Sequence, residues 1–266
     1  MRLRRLSTAL PRLYRGSATP LGEVEEGEED TVVMSPWPDI TIPEMNLADY
    51  VWEHASARPE AVALVCGMTG RSYTYSQAEA ASRGFGSALL RRGVRPGDVV
   101  CLLLPNTPDF PLAFLGAVGA RLAVTTCKPA MEPEELARRL ESCQAAAVVT
   151  TEAALPGLRQ AQHSYAAPLT VILVDAEVQD CLNFHTMIEQ EEGLEKQEVG
   201  VTEVHTEVAA MPYSSGTTGA PKGVLLSHFN MVASSCQSLA RGWCPAWPAR
   251  SRRWPWPSSP STISTP

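Results

Sequence analysis

The sequence predicts an α/β fold in which a largely parallel sheet, built from βαβ units, is covered by helices. Three observations predict it. Residues 99–104, VVCLLL, are apolar at every position, and a strand that must bury both faces belongs inside a parallel sheet. Comparable apolar runs recur at 122–126, 146–150 and 169–174, each separated from the last by a helical pattern. Turn chemistry marks the joins, at Gly93, at Arg95-Pro96-Gly97-Asp98 and at Pro133.

Taken in order, residues 47–57 read as a short amphipathic helix stopped at Arg58-Pro59, because the residue before a proline is driven out of the helical region. Residues 61–66 form an apolar strand, and 71–75 alternate as a strand does. Ser76-Gln77-Ala78-Glu79 has the spacing of a capping box, whose two side chains satisfy amides of the first turn. The helix it opens runs to Arg92, with Gly93 as a left-handed stop. After the turn at 95–98 come strand 99–104, helix 110–120 and strand 122–126. Pro133 opens helix 134–142 at a position where its missing N–H is not needed. Strand 146–150, helix 153–161 and strand 169–174 follow. Residues 176–207 are polar and acidic, with Glu189, Glu191 and Glu192, and are expected as a solvated surface excursion. Strands are expected at 208–213 and 224–226.

Composition narrows the function. The chain has 266 residues, 44% hydrophobic, with a formal net charge of -7. That is one or two globular domains. Without a basic stripe to meet phosphates, nucleic acid is excluded as a partner. The seven cysteines include no C-x-x-C pair, so they read as reduced, mostly buried thiols rather than zinc ligands. No apolar run reaches the ~18 residues of a membrane span. Oligomeric state leaves no signal.

The ends differ from the middle. Residues 1–22 carry Arg2, Arg4, Arg5, Arg12 and Arg15 and no acid before Glu23, while Leu3, Leu6, Leu10 and Leu13 share one helical face. This is the composition of a mitochondrial transit peptide; the alternative is a disordered basic tail, on a cytoplasmic protein or, in a full-length form, a peroxisomal one, and Pro11 interrupts any long helix. Residues 23–46 begin with EVEEGEED, an acidic linker. The folded domain is expected over 47–236. Residues 237–266 hold four of the six tryptophans among Pro and Ser, without helical or strand period, and are expected as an unrelated, disordered tail.

Chemistry concentrates in residues 213–224, YSSGTTGAPKGV. Gly216, Gly219 and Gly223 allow tight turns and close approach of the backbone to a ligand. Ser214, Ser215, Thr217 and Thr218 offer hydroxyls, and successive amides in such a turn form an anion-binding nest. Lys222 adds a mobile positive charge suited to phosphate oxygens. A GxxxxGK[ST] loop is excluded, because Pro221 stands where that pattern needs Gly and Gly223 where it needs Ser or Thr. A flexible Ser/Gly linker would not account for Pro221-Lys222-Gly223 running straight into apolar residues.

The stretch YSSGTTGAPKGVLLSHFNMVAS resembles the signature loop of the acyl-adenylate-forming superfamily, which includes acyl-CoA synthetases, coumarate–CoA ligases, beetle luciferases and the adenylation domains of peptide synthetases. LADYVWEHASARPEAVALV, RSYTYSQ, LLRRGVRPGDVVCLLLPNTPDF and AFLGAVGARLAV resemble the first part of the ligases' large N-terminal domain. The resemblance covers about 47–235 and implies the partial N-terminal domain of the adenylate-forming ligase fold. It implies ATP, Mg2+ and CoA as cofactors and a carboxylic acid as substrate, with an acyl-AMP intermediate. It implies ATP binding by Ser214, Ser215, Gly216, Thr217, Thr218, Gly219, Lys222 and Gly223, with Thr217 and Thr218 beside the magnesium. It makes Lys222 and His228 the catalytic candidates, His228 near the acyl-adenylate pocket. The ligases also use later carboxylates and a C-terminal lysine, yet no Asp, Glu or Lys follows Lys222. The chain is therefore expected to be a truncated form without the full active site or CoA site, the alternative being a non-catalytic binding product.

Overall fold

The computed structural model describes residues 39–194, 199–200, 202–214 and 221–239. The basic segment 1–22, most of the acidic linker and the segment from 240 onward lie outside the described residues. Ile42–Leu239 forms one compact unit.

Asn46 caps helix α1 (Leu47–Trp52), its side chain accepting from the Ala48 amide at 2.8 Å. The helix expected over 47–57 is two pieces, since the chain tightens into a 3-10 turn at Ala55–Ala57 before Pro59 forces Arg58 out of helical geometry. Strands β1 (Val62–Val65) and β2 (Ser72–Thr74) pair antiparallel as a ribbon of their own. Helix α2 (Tyr75–Arg91) starts from Thr74, not from Ser76 as the capping-box spacing implied. Thr74 Oγ1 accepts from the Gln77 amide at 3.2 Å, and the Gln77 side chain accepts from the Thr74 amide at 3.0 Å. Thr-x-x-Gln and Ser-x-x-Glu overlap here. The β1–β2 pairing, with Thr74 opposite Val62, decides between them.

The units β3 (Val99–Leu103), α3 (Asp109–Gly119), β4 (Ala123–Thr126), α4 (Pro133–Cys143), β5 (Ala145–Thr150), α5 (Leu155–Gln162) and β6 (Thr170–Leu173) alternate as expected. They build a sheet with the order β11-β8-β4-β3-β5-β6-β7, in which β7 is Leu182–Asn183, β8 is Val208–Ala210 and β11 is Leu226–Ser227. Every pairing in it is parallel except β11 with β8. All of β3 is buried, and its residues divide by parity. Val100 and Leu102 join Val149 and Ile172 in one core beneath α2 and α3, whereas Val99, Cys101 and Leu103 join Val148 and Leu173 in a second core beneath α4 and α5. That period of two makes a doubly covered sheet.

The stretch 176–207 is not wholly a surface excursion. It contains β7 and helix α6 (Phe184–Glu189), capped by Asn183, whose side chain accepts from the Thr186 amide at 2.9 Å. Phe184 and Met187 are buried, and the Phe184 ring lies 4.6 Å from that of Phe85 on α2. Two apolar residues one turn apart suffice to dock a short helix, and the surrounding acids mask them from composition. Strand β9 (Tyr213–Ser214), strand β10 (Lys222–Gly223) and helix α7 (His228–Leu239) complete the described residues. Among them no helix is long and apolar enough to cross a membrane. The described cysteines are free thiols, with Cys66, Cys101, Cys127 and Cys143 buried.

Candidate functional site

Strand β8 lies beside β4, with Ala210 opposite Val124. The Met211 amide donates to the Val124 carbonyl at 2.7 Å, and Thr125 Oγ1 donates to the Met211 carbonyl at 2.8 Å. The chain therefore leaves the sheet at its carboxyl edge, where open α/β sheets bind ligands. Beyond Pro212, β9 pairs with β10, Tyr213 opposite Gly223 and Ser214 opposite Lys222. The Val224 amide donates back to the Pro212 carbonyl at 2.8 Å, and Leu226 pairs with Ala210. From Ala210/Leu226 to Ser214/Lys222 this is one antiparallel hairpin in an unbroken register. Ser215, Gly216, Thr217, Thr218 and Gly219 lie outside the described residues. Ser214, Lys222 and Gly223 are exposed at the neck. The apolar strand expected at 224–226 is corrected. Val224 and Leu225 are 43% and 62% exposed, and the sheet takes up Leu226 and Ser227.

The neck is mounted on α4. The Arg139 guanidinium lies over the Tyr213 ring, 3.7 Å from its centroid, and the Tyr213 hydroxyl donates to Ser142 Oγ at 3.0 Å. Burial pushes the Tyr213 phenol up from its usual value. Opposite, a Cβ on Gly223 would stand 3.3 Å from Met211 Cγ and 3.4 Å from Tyr213 Cζ, a tight fit that the Met211 side chain would have to relieve. Arg139 and Ser142 share a face of α4 at i, i+3 spacing, but nothing local in the sequence couples them to Tyr213.

Lys222 is at the neck of the hairpin and His228 six residues on at its base, at most roughly 20 Å away at ~3.3 Å per extended residue. His228 is fully buried. Its Nδ1 accepts from the Leu47 amide at 3.1 Å, tying the start of α7 to the start of α1. Its Nε2 is 3.8 Å from Glu207 Oε1. Glu207 is itself gripped by Arg121 at 2.8 to 3.1 Å.

A second polar cluster had no sequence signal. Asp109 is buried and ion-paired with Arg71, with His185 Nε2 3.5 Å from its Oδ1. They line a cavity of about 890 Å³ beyond the ends of β3, β5 and β6, together with Asp175, Glu177 and Glu189. Carboxylates outnumber cations there, so an anionic ligand is better served by the hairpin neck.

A sequence profile of the AMP-binding enzyme family matches residues 51–260. The chain belongs to the AMP-binding enzyme family. The match starts past the basic segment and the acidic linker, and it runs through most of the segment 237–266. Among curated members of this family, 4-coumarate–CoA ligase 1 of Petroselinum crispum is 36% identical over 222 residues, which are 82% of this chain and 40% of that protein. 4-Coumarate–CoA ligase 3 of Oryza sativa subsp. japonica is 38% identical over 214 residues, 80% of this chain and 37% of that protein. A long-chain-fatty-acid–CoA ligase from Archaeoglobus fulgidus superposes with a TM-score of 0.68 at 24% identity, covering 77% of this chain and 41% of that chain. That likeness shows the fold, the N-terminal part of the adenylate-forming ligases. The chain spans about two fifths of the length of the curated relatives it matches.

Proposed function

We propose that this AMP-binding enzyme family member supplies the polyphosphate grip of an ATP-dependent carboxylic acid–CoA ligase. The observation that supports the reading is the hairpin, which leaves the carboxyl edge of the sheet with Lys222 and Ser214 paired and exposed at its neck. In the proposed reaction the acid's carboxylate oxygen attacks the α-phosphorus of ATP, giving acyl-AMP and pyrophosphate. The CoA thiol then adds to the acyl carbon and AMP leaves with the bonding electrons.

The chain's own share is to hold the leaving pyrophosphate in line with the attack and to neutralise it. Lys222 places its ammonium against the β- and γ-phosphates. The hydroxyls of Ser214, Ser215, Thr217 and Thr218 and the amides around Gly216, Gly219 and Gly223 ring the same oxygens. From 208 to 227 the hairpin carries no carboxylate. It therefore fits a Mg2+ held mostly by phosphate oxygens and water, with Thr217 and Thr218 beside it, rather than an all-protein cage. When bound, the ion neutralises charge on the leaving group. On its geometry we assign His228 to anchoring α1 to α7 rather than to the acyl pocket.

Titration with ATP and inorganic tripolyphosphate tests the grip. A charge-assisted contact contributes ~1.5–3 kcal/mol, so Lys222→Ala should weaken both ligands roughly ten- to a hundredfold, and added salt should weaken them further. Equal affinity in wild type and Lys222→Ala would sink the reading.

Residues 1–22 are proposed as a mitochondrial address. A fluorescent fusion should enter mitochondria, and replacing Arg2, Arg4, Arg5 and Arg12 by Glu should prevent it. A diffuse signal from the unmodified fusion would count against the address.

A further inference from the structure

The hairpin neck cannot hold itself. It consists of two residue pairs, Tyr213 with Gly223 and Ser214 with Lys222, outside the seven-stranded sheet, and short two-stranded ribbons are marginal in water. Pro212, which links it to the sheet, has no N–H to give. Val224 and Leu225 on the returning arm are exposed. What steadies the neck comes from α4, itself seated in the core by Leu136, Leu140 and Cys143. The Arg139 guanidinium carbon lies over the Tyr213 ring, 3.7 Å from its centroid, and Ser142 Oγ accepts from the Tyr213 hydroxyl at 3.0 Å. The Arg139 side chain is only 10% exposed, and Glu135 one turn earlier accepts from it at 3.3 Å. A desolvated guanidinium on an aromatic face is among the stronger contacts available to a strand end.

We infer that Arg139 is a positioning residue for the polyphosphate grip. It clamps the Tyr213 ring, which fixes the Tyr213–Gly223 pair and thereby the direction in which the adjoining Lys222 leaves the neck. Arg139 touches no substrate in this account; it acts through Tyr213. The ligand part of the inference rests on the polyphosphate reading above. The clamp itself does not.

The test uses the whole 266-residue chain, with amide hydrogen exchange and titration with inorganic tripolyphosphate as readouts. Arg139→Met keeps an unbranched side chain for packing but removes the cation. It should speed exchange at residues 213–214 and 222–224, leave β3 and β5 unchanged, and weaken tripolyphosphate roughly three- to thirtyfold, the range a cation–π contact spans. Arg139→Lys, which keeps a cation over the ring, should recover most of both effects. Arg139→Met combined with Tyr213→Leu should be no weaker than Tyr213→Leu alone, because the two residues act through one contact. A plain packing role would make Arg139→Met resemble wild type, or make the Met and Lys variants equally poor, and either result overturns the inference. If the wild type takes up no tripolyphosphate, the phosphate reading fails. The clamp is then decided by exchange at the neck: faster in Arg139→Met and reversed by Lys upholds it, unchanged overturns it.

Discussion

The two ring nitrogens of His228 meet different surroundings. The Leu47 amide can only donate, so Nδ1 must be the acceptor, which puts the proton of the neutral ring on Nε2. Burial lowers the His228 pKa from its ordinary value; Arg121 lowers it further, and Glu207 and Asp49 oppose the shift. The unfolded chain therefore takes up a proton, near the ordinary pKa of ~6.5, before the folded chain does. The stability His228 confers is whole above that pH. It declines as pH falls below it and stops declining at the lower folded pKa, with a slope of at most ~1.4 kcal/mol per pH unit. His228→Asn keeps an acceptor near the Nδ1 position and cannot titrate. Melting curves from pH 8 to 5 should fall less steeply for His228→Asn than for wild type; parallel curves would show that His228 does not set the slope. The sequence places His228 six residues after Lys222, whereas its bond to the Leu47 amide, 181 positions away, depends on packing that no local pattern encodes.

Helices α2 and α3 cross at a point where neither can bear a side chain. A Cβ on Gly86 would stand 2.4 Å from the Gly116 carbonyl oxygen, and one on Gly116 would stand 2.4 Å from the Ser82 carbonyl oxygen. Backbone atoms cannot step aside as a flexible side chain does, so Gly86→Ala and Gly116→Ala should each destabilise by ~1–3 kcal/mol. Gly157 on α5 has nothing within 4 Å of its added Cβ. Gly157→Ala should instead stabilise, by up to ~1 kcal/mol on helix propensity. Urea denaturation of the three variants checks both signs, and a neutral Gly86→Ala would mean that the helices separate freely. Elements were legible in the sequence where both faces needed burial. Val99 to Leu103 had to be an inner strand whatever surrounded them. Elements resting on one or two contacts were not legible. Phe184 and Met187 look incidental among acids until Phe85 is seen opposite. Thr74 and Ser76 were both plausible caps until the ribbon with β1 ended at Thr74. Arg139 and Ser142 read as an ordinary helix face because Tyr213 lies 71 positions beyond Ser142.

Across the whole molecule, the strands differ in how far along the chain their partners lie. Cys101 and Cys127, touching between β3 and the end of β4, are 26 positions apart, whereas Thr125 and Met211, which join β4 to the end of β8, are 86 apart. Longer closures lose more chain entropy, though only as the logarithm of length, and distant pairings slow folding. The sheet's sequence also emerges from the ribosome with β3, β4, β5 and β6 ahead of β8. The βαβ units can therefore assemble on one another while the arm that bears Lys222 is still unmade. β8, followed by β11, is then expected to close against an edge already standing. In refolding followed by pulsed hydrogen exchange, the Cys127 amide, bonded to Leu102, should be protected before the Met211 amide, bonded to Val124; simultaneous protection would mean that the arm belongs to the nucleus. The proposed grip then follows the sheet, so a chain interrupted in its making has a sheet before it has a hand.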